Sequence, residues 1–442
     1  MNELLPYEAR FSGQASDAPA TWGQQAFRDG LSRYADAGWN RNVAVVAPLP
    51  DGTSLPGALE LLARITSRHE GLRTEVYESP DGLRQRVSGA GTLAVGRIDG
   101  AEPADAAREA ARLRALPLGT GGLPPFAASV AETAGRPRAL VLAFSHLVVD
   151  ASSVRTVLDG LARPASEPAP QPREQAAREA GELARTGQRA AATWAREAGD
   201  TAFPFAVPRT GAVRSHVVQT ALTSAPAAVR LKEMSAGLGA DASAVLLAAT
   251  AVALAAPLAL DRLPLQVVTS NRHRAHARDY VGVLAQFGPL TARLDPDSSF
   301  DDTVRHLARR AMSAYNSALW APAGLAQALT ATGRSLDEVL GTTYTFNDIR
   351  AADFPPVLDH PAVPDPGRDH CLHDLPHWPY QGGRCAIAVV GGARVLQFAL
   401  RADTRYVSPE LTARLLPGID TVLRRAHDKG GSIRIGALGE GL

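Results

Sequence analysis

Ala139-Leu140-Val141-Leu142-Ala143-Phe144-Ser145-His146-Leu147-Val148-Val149-Asp150-Ala151-Ser152-Ser153 is the stretch on which the reading of this chain turns. Its first six residues are an unbroken apolar run, which suits a strand buried on both faces. Val154, Val157, Leu158 and Leu161 follow at helical spacing. His146 and Asp150 therefore fall in the loop between a core strand and a helix, where rigid elements on either side can hold reactive side chains. Histidine is the side chain best suited to moving a proton near neutral pH. The apolar neighbours disfavour charging of its ring by desolvation, which keeps it a base. If His146 activates an amine or an alcohol, the other reactant is an activated acyl group. A histidine and an aspartate four residues apart also occur as a structural pair, and their spacing does not choose between the two roles.

Working outward, Leu55, Ala58, Leu59, Leu62 and Ile65 predict a helix over 55–67. Strands are expected at 73–77 and 83–87 around a Pro80-Asp81-Gly82 turn. Four prolines between Pro164 and Pro172 remove backbone donors and hold the chain extended. The lobe boundary is placed there, giving a first lobe at 1–163, a linker at 164–172 and a second lobe at 173–442. Residues 173–200, rich in Ala, Glu, Arg and Gln, predict one long helix opening the second lobe. Beyond it come two helices over 226–256 broken near 237–240, a strand at 265–270, a helix at 300–319 and a strand at 342–346. Strands at 386–390 and 395–400 are joined by Gly391-Gly392. A final helix runs from Ser408 to His427, capped by Ser408, with an interruption expected at Pro417-Gly418.

Whole-chain properties exclude several classes. At 442 residues the chain exceeds the size of a single core, so two lobes are the default. Its 46 Lys+Arg against 45 Asp+Glu give no reason to expect a nucleic-acid partner. Two cysteines, Cys371 and Cys385, make no disulfide framework. The N-terminal MNELLPYEARFSG lacks a signal peptide's basic and apolar regions, so a cytoplasmic location is expected. The most apolar segment, 242–260, is broken by Pro257 and followed by Asp261 and Arg262, which argues for a core helix and against a membrane span.

Several segments together resemble a known family. Ser145-His146-x3-Asp150-Ala151-x-Ser153 is similar to the His-His-x3-Asp-Gly-x-Ser signature of nonribosomal peptide synthetase condensation domains. Arg68-His69-Glu70-Gly71-Leu72-Arg73-Thr74 matches every fixed position of their Arg-His-Glu-x-Leu-Arg-Thr motif. Ser270-Asn271-Arg272 and the segment Val281-Gly282 to Pro289-Leu290 resemble two further family segments. Looser matches are Thr21-Trp22-Gly23-Gln24, Trp194, Tyr344-Thr345-Phe346-Asn347 and Tyr406-Val407-Ser408-Pro409-Glu410, in family order across almost the whole chain.

The resemblance implies an α+β architecture of two chloramphenicol-acetyltransferase-like lobes arranged as a V, with the active site in the cleft. It implies a free-standing acyltransferase that joins a carrier-protein-bound acyl or aminoacyl thioester to an amine or alcohol. The acyl or peptidyl carrier protein would act in trans, in specialised-metabolite and antibiotic biosynthesis. No cofactor stays bound; the donor travels on a carrier's phosphopantetheine, or alternatively on coenzyme A. His146 aligns with the residue that faces the nucleophile, while Asp150 is structural and pairs with a cation of the other lobe, for which Arg272 is the candidate. Ser145 replaces the first histidine and Ala151 the glycine of the signature, as supports of the site. These two departures favour a rival reading, a degenerate fold that only recruits carrier proteins.

Other features have bland readings beside functional ones. The basic run from Arg272 to Arg278, Arg272 itself excepted, is a solvated loop or an attraction for phosphate or an acidic carrier-protein helix. His370, Cys371, His373, Asp374 and His377 lack finger-like spacing, so no metal is expected; their Pro-rich loop, 355–379, is expected to line the cleft. Trp378 and Tyr380 serve as pocket walls or as core. Arg68 and Arg73 are expected to be structural.

Overall fold

The computed structural model describes residues 7–32, 42–119, 123–163, 168–199, 202–205, 207, 209, 217–273, 277–350, 370–374, 383–392 and 394–442. Along the chain run β1 (Tyr7–Ser12), β2 (Ser16–Pro19), α1 (Trp22–Ser32), β3 (Asn42–Pro48) and α2 (Leu55–Arg68). Next come β4 (Thr74–Ser79), β5 (Gly82–Val87), β6 (Ala90–Asp99), α3 (Pro103–Arg114), β7 (Phe126–Thr133), β8 (Arg136–Ser145) and α4 (Ala151–Ala162). Then follow α5 (Pro172–Ala180), α6 (Ala184–Gly199), β9 (Val217–Ser224), α7 (Ala225–Leu238), α8 (Ala242–Ala255), β10 (Arg262–Thr269) and β11 (Gln286–Arg293). The remainder is α9 (Phe300–Asn316), α10 (Pro322–Thr330), α11 (Leu336–Thr342), β12 (Tyr344–Asp348), β13 (His370–Asp374), β14 (Cys385–Gly391), β15 (Leu396–Asp403), α12 (Pro409–Asp428) and α13 (Ile435–Gly439).

The architecture is α+β in two compact units. In the first, a five-stranded sheet in the order β1-β6-β7-β8-β3 stands beside a three-stranded sheet, β2-β5-β4. β8 lies between β7 and β3 and its apolar run is covered on both faces; Leu140, Leu142 and Phe144 enter the core beneath α2 and α4, and Val141 and Ala143 pack towards α3. The second unit is built on a seven-stranded sheet, β11-β10-β12-β14-β15-β9-β13. One face of that sheet holds the largest core of the protein, closed by α7, α8, α9 and α12.

Several sequence expectations change. The single helix over 173–200 is two, because Gly181 leaves helical geometry at the end of α5. The boundary at residue 173 moves as well: residues up to Ala184 and the segment Ser270–Ala285 belong to the first unit. Bonds between α5 and the preceding elements account for this. The Gln171 carboxamide donates to Arg68 O at 3.0 Å and accepts from Glu70 N at 2.9 Å. Gln85 Nε2 donates to Pro172 O, and Arg173 pairs with Glu70 at 3.2 Å. Of the proposed linker, residues 164–167 lie outside the described residues. α12 is one continuous helix through Pro417, with Leu415, Leu416, Ile419 and Val422 buried and Gly418 packed near Ala253; the expected interruption does not occur. Packing of that face against α8 outweighs the lost backbone bond.

Within the expected Pro-rich loop, residues 370–374 form β13, antiparallel to β9 at the sheet edge. His377, Trp378 and Tyr380 lie outside the described residues. Among the described residues no group of His, Cys, Asp and Glu is arranged to hold a metal, and no single helix is long and apolar enough to cross a membrane.

Candidate active site

β8 ends at Ser145 and the chain turns at once. Ser145 O accepts from Val148 N at 3.1 Å and Val149 N at 3.2 Å, while Ser145 N donates to Pro125 O at 2.8 Å. Leu147, Val148 and Val149 are buried in the first unit's core, which leaves His146 at the head of the turn, partly buried. Its imidazole stacks on the Phe27 ring of α1, with centroids 4.3 Å apart and planes inclined by 23°. The Ser145 hydroxyl accepts a long bond from Leu147 N, 3.4 Å.

Asp150 closes the turn as the N-cap of α4. Its Oδ1 accepts from Ser153 N at 2.9 Å and lies 3.0 Å from the Ser153 hydroxyl. Its Oδ2 accepts from Arg272 Nη1 at 2.7 Å, Leu284 N at 3.0 Å and Ala285 N at 3.1 Å. Burial by itself would raise the carboxyl's pKa, but the Arg272 charge and these bonds outweigh it, and the group is held below the ordinary carboxylate range. Both oxygens are fully engaged, and His146 is not among their partners. The bonds of Asp150 tie the start of α4 to Arg272 and the backbone of Leu284 and Ala285.

The expected pair of Asp150 and Arg272 thus forms, with one difference. Arg272 was expected from the other lobe; it follows the second unit's β10 in sequence, yet Ser270–Ala285 packs with the first unit. Its guanidinium also reaches the Ser153 hydroxyl at 2.9 Å and the carbonyls of Ser270, Tyr280 and Gly282. Ser153 joins all the parts: its hydroxyl is 2.7 Å from Gly282 O and accepts from Gly282 N at 3.0 Å. Arg272 stands apart from the rest of the basic run, as expected, and residues 274–276 of that run lie outside the described residues. Ala151 is the first residue of α4 and adds no polar group to the network.

The segment Val281–Ala285 is threaded through places only glycine leaves open. A Cβ on Gly71 would stand 2.6 Å from Val281 O, and one on Gly23 would stand 2.1 Å from Val283 O. This explains the 68–74 motif in structural terms. His69, Glu70 and Arg73 are buried at the corner between α2 and β4. Arg73 bonds Gln14 O and Ser88 O, and Thr74 Oγ1 bonds Glu70 O. Burial, helped by Arg68, pulls the His69 pKa down to about 3, so that ring stays neutral.

Three contributors escaped the sequence reading. Phe27 lies in α1 beyond the Thr21–Gln24 match, although its place four residues after Gly23 puts it on the same face. Ser153 stood inside the quoted signature without a role. Glu179 lies on a polar helix, where nothing marked it for burial. It accepts from Trp22 N at 2.6 Å and Gln175 Nε2 at 2.9 Å, capping α1. Burial, only partly offset by these two bonds, pushes its pKa up to about 7.

No family model matches the chain, and no curated protein matches it. Solved structures do. The condensation domain of the Monacolin K polyketide synthase MokA aligns with 95% of this chain and 99% of its own, at 15% identity and a TM-score of 0.73. The structure describing condensation-domain-mediated chain release from the enacyloxin polyketide synthase aligns with 92% of this chain and 82% of its own, at 20% identity and a TM-score of 0.71. A mutant of the starter condensation domain of rhizomide synthetase RzmA, in complex with C8-CoA, aligns with 96% and 97%, at 18% identity and a TM-score of 0.70. The fold of this protein is the condensation-domain fold, as the sequence motifs implied.

Proposed function

We propose that the protein is a condensation-type acyltransferase that joins an acyl or aminoacyl thioester to an amine or alcohol, with His146 as general base. The observation that carries this is the placement of the imidazole on a turn fixed at both ends. Backbone bonds from Ser145 and the buried network of Asp150, Arg272 and Ser153 hold the loop, and Phe27 orients the ring. In the step proposed, the acceptor's nitrogen or oxygen attacks the thioester carbonyl and gives its proton to His146. The C–S bond breaks, and the departing thiolate takes a proton in return. The donor is already activated, so no covalent enzyme intermediate is required. Alignment of the reactants supplies effective molarities of up to ~10^5 M or more, and general-base help adds about 10^2–10^4-fold.

We assign the donor to the phosphopantetheine of a carrier protein acting in trans, in specialised-metabolite assembly. Support comes from the settings of the similar folds, polyketide synthases and a rhizomide synthetase. The RzmA structure contains C8-CoA, which favours coenzyme A as the second donor to try. The test is intact-mass analysis of products from purified protein and His146→Ala, each given acyl groups on carrier protein or on coenzyme A with amine and alcohol acceptors. Product that requires His146 establishes the activity, and the productive donor identifies the carrier. Product formed equally by His146→Ala refutes the base assignment. Absence of product with retained carrier-protein binding supports the recruiting module, which Ser145 and Ala151 favour.

A further inference from the structure

α1 carries Phe27, the ring on which His146 is stacked, yet little of the helix is buried. Thr21 before it and Gly23 and Gln24 in its first turn are buried, while Trp22 and residues 25–28 are only partly so. At 11 residues α1 is marginal as a helix on its own in water, so its attachments decide where it lies. Several bonds at its start are local. Thr21 N donates to Gln24 Oε1 at 2.8 Å, Gln24 N to Thr21 Oγ1 at 3.3 Å and Gln25 Nε2 to Ala20 O at 2.7 Å. The first two make a capping box; all three shape the turn without placing the helix against its neighbours.

Contacts from elsewhere in the first unit place it. Gly23 lies against Val283 O, in the segment whose next residues, Leu284 and Ala285, bond Asp150. Glu179 Oε2 accepts from Trp22 N, the first amide of α1, at 2.6 Å. Glu179 is buried, and Gln175 Nε2 fixes its other oxygen at 2.9 Å. The helix that carries it is itself fixed, since Gln171 bonds Arg68 O and Glu70 N and Arg173 pairs with Glu70. Glu179 thus passes the position of a fixed helix to the first turn of α1, and Phe27 stands five residues, about 7.5 Å, further along that axis. Glu179, α1, His146 and the 281–285 segment all belong to the first unit.

We propose that Glu179 is a positioning residue of the site: its oxygen seats the start of α1, so that Phe27 holds the His146 ring in the orientation of a base. The word base rests on the acyl-transfer reading, whereas the seating of the ring is independent of turnover. What matters is the acceptor atom and its reach, since an oxygen for Trp22 N is present whether the carboxyl is charged or neutral. Glutamine supplies both, with the Gln175 carboxamide turned to present its oxygen. Methionine fills the space without the acceptor, and aspartate keeps the charge but falls one methylene short.

The experiment follows the His146 ring by NMR in the full chain with isotope-labelled histidine, its signal identified by its loss in His146→Ala. The difference between unaltered protein and Phe27→Ala measures the displacement that the stacked Phe27 ring imposes on that signal. Glu179→Met and Glu179→Asp should lose most of this displacement, and Glu179→Gln should recover it. Where Glu179→Met does not fold, Glu179→Asp carries the test. In turnover, Glu179→Met should lower kcat about three- to tenfold with KM nearly constant, and should add nothing further to Phe27→Ala. A displacement unchanged in both Met and Asp variants, or a kcat loss that persists in full on top of Phe27→Ala, would overturn the proposal. Displacement lost with Met and Asp and recovered with Gln, in a protein that forms no acyl-transfer product, retains the positioning role and removes the acyl-transfer reading. Product that requires His146, with the displacement unchanged in both variants, does the reverse.

Discussion

Replacing Asp150 by alanine tests whether the residue holds the loop or takes part in the chemistry. The carboxylate is 1% exposed and the Arg272 side chain 8%, so the substitution leaves a buried guanidinium without its counter-charge. Breaking a buried pair from one side costs about 3–5 kcal/mol. Loss of the cap on Ser153 N adds ~1 kcal/mol, and Leu284 N and Ala285 N lose their acceptor. These losses share partners and do not add fully. A destabilisation of about 4 kcal/mol is expected, a large part of the ~5–15 kcal/mol that a folded domain typically holds. Urea unfolding read by hydrogen exchange in the first unit is the assay, because a chain of two units need not unfold in one step. Asp150→Asn/Arg272→Met should lose less than Asp150→Ala, since no lone charge remains buried. Because the folded pKa of Asp150 is depressed, its contribution is complete above the unfolded value of ~3.9 and is lost as pH falls through the folded value. A first unit within ~0.5 kcal/mol of the unaltered protein, combined with abolished turnover, would refute the structural role.

His146→Ala should reduce turnover by about 10^2–10^4-fold with an unchanged melting curve, measured by product mass and calorimetry. Phe27→Ala removes the ring that fixes the imidazole; kcat should fall about three- to tenfold with KM nearly constant, since aromatic pairs contribute ~0.5–1.5 kcal/mol. Glu179 has a folded pKa of about 7, raised above its unfolded value, so its contribution is fully present below ~4.3 and lost as pH rises to 7. Stability should therefore decline by about 3 kcal/mol between pH 4.5 and 7, and Glu179→Gln should flatten that slope, as read from urea midpoints across pH. Gly71→Ala sets a methyl group 2.6 Å from Val281 O and should displace the segment that bonds Asp150, lowering the urea midpoint and turnover together.

The parts of the fold that announce themselves in sequence are those with a local physical cause. β8 is legible because a strand covered on both faces must be apolar at every position. α7 and α8 separate where Gly239 takes φ 60° and Asp241 caps the next helix. β14 and β15 meet across Gly391-Gly392, as expected. What was misread depends on partners distant in sequence. Nothing within residues 171–180 tells that Gln171, Arg173 and Glu179 bind residues 22, 68 and 70, so α5 was placed with the second lobe. Pro417 is a local signal for a break, and it is overruled by the packing of Leu416 and Ile419 far along the chain. The site divides in the same way. His146, Asp150 and Arg272 were singled out through a motif, whereas the contacts of Phe27 and Glu179 are ones that no motif records.

The two departures from the family signature can be weighed by what the network requires. It needs a carboxylate at 150, a hydroxyl at 153, a guanidinium at 272 and the backbone of Gly282, Leu284 and Ala285; all are present and bonded. Ser145 supplies only a 3.4 Å acceptor to Leu147 N, while its backbone makes the bonds that shape the turn, and any residue with an N–H can do the same. A Cβ on Gly119 would stand 3.1 Å from Ser145 Cβ and Oγ, so the small side chain sits against backbone with little room around it. A serine fits there at the expense of the second imidazole. Ala151, as the first residue of α4, leaves the cap geometry intact. Both changes therefore alter what surrounds the imidazole and leave intact what holds it. The ion pair is needed by a catalytic site and by a recruiting module alike, because breaking it from one side destabilises the fold, so the turnover of His146→Ala and not the retained pair decides between them.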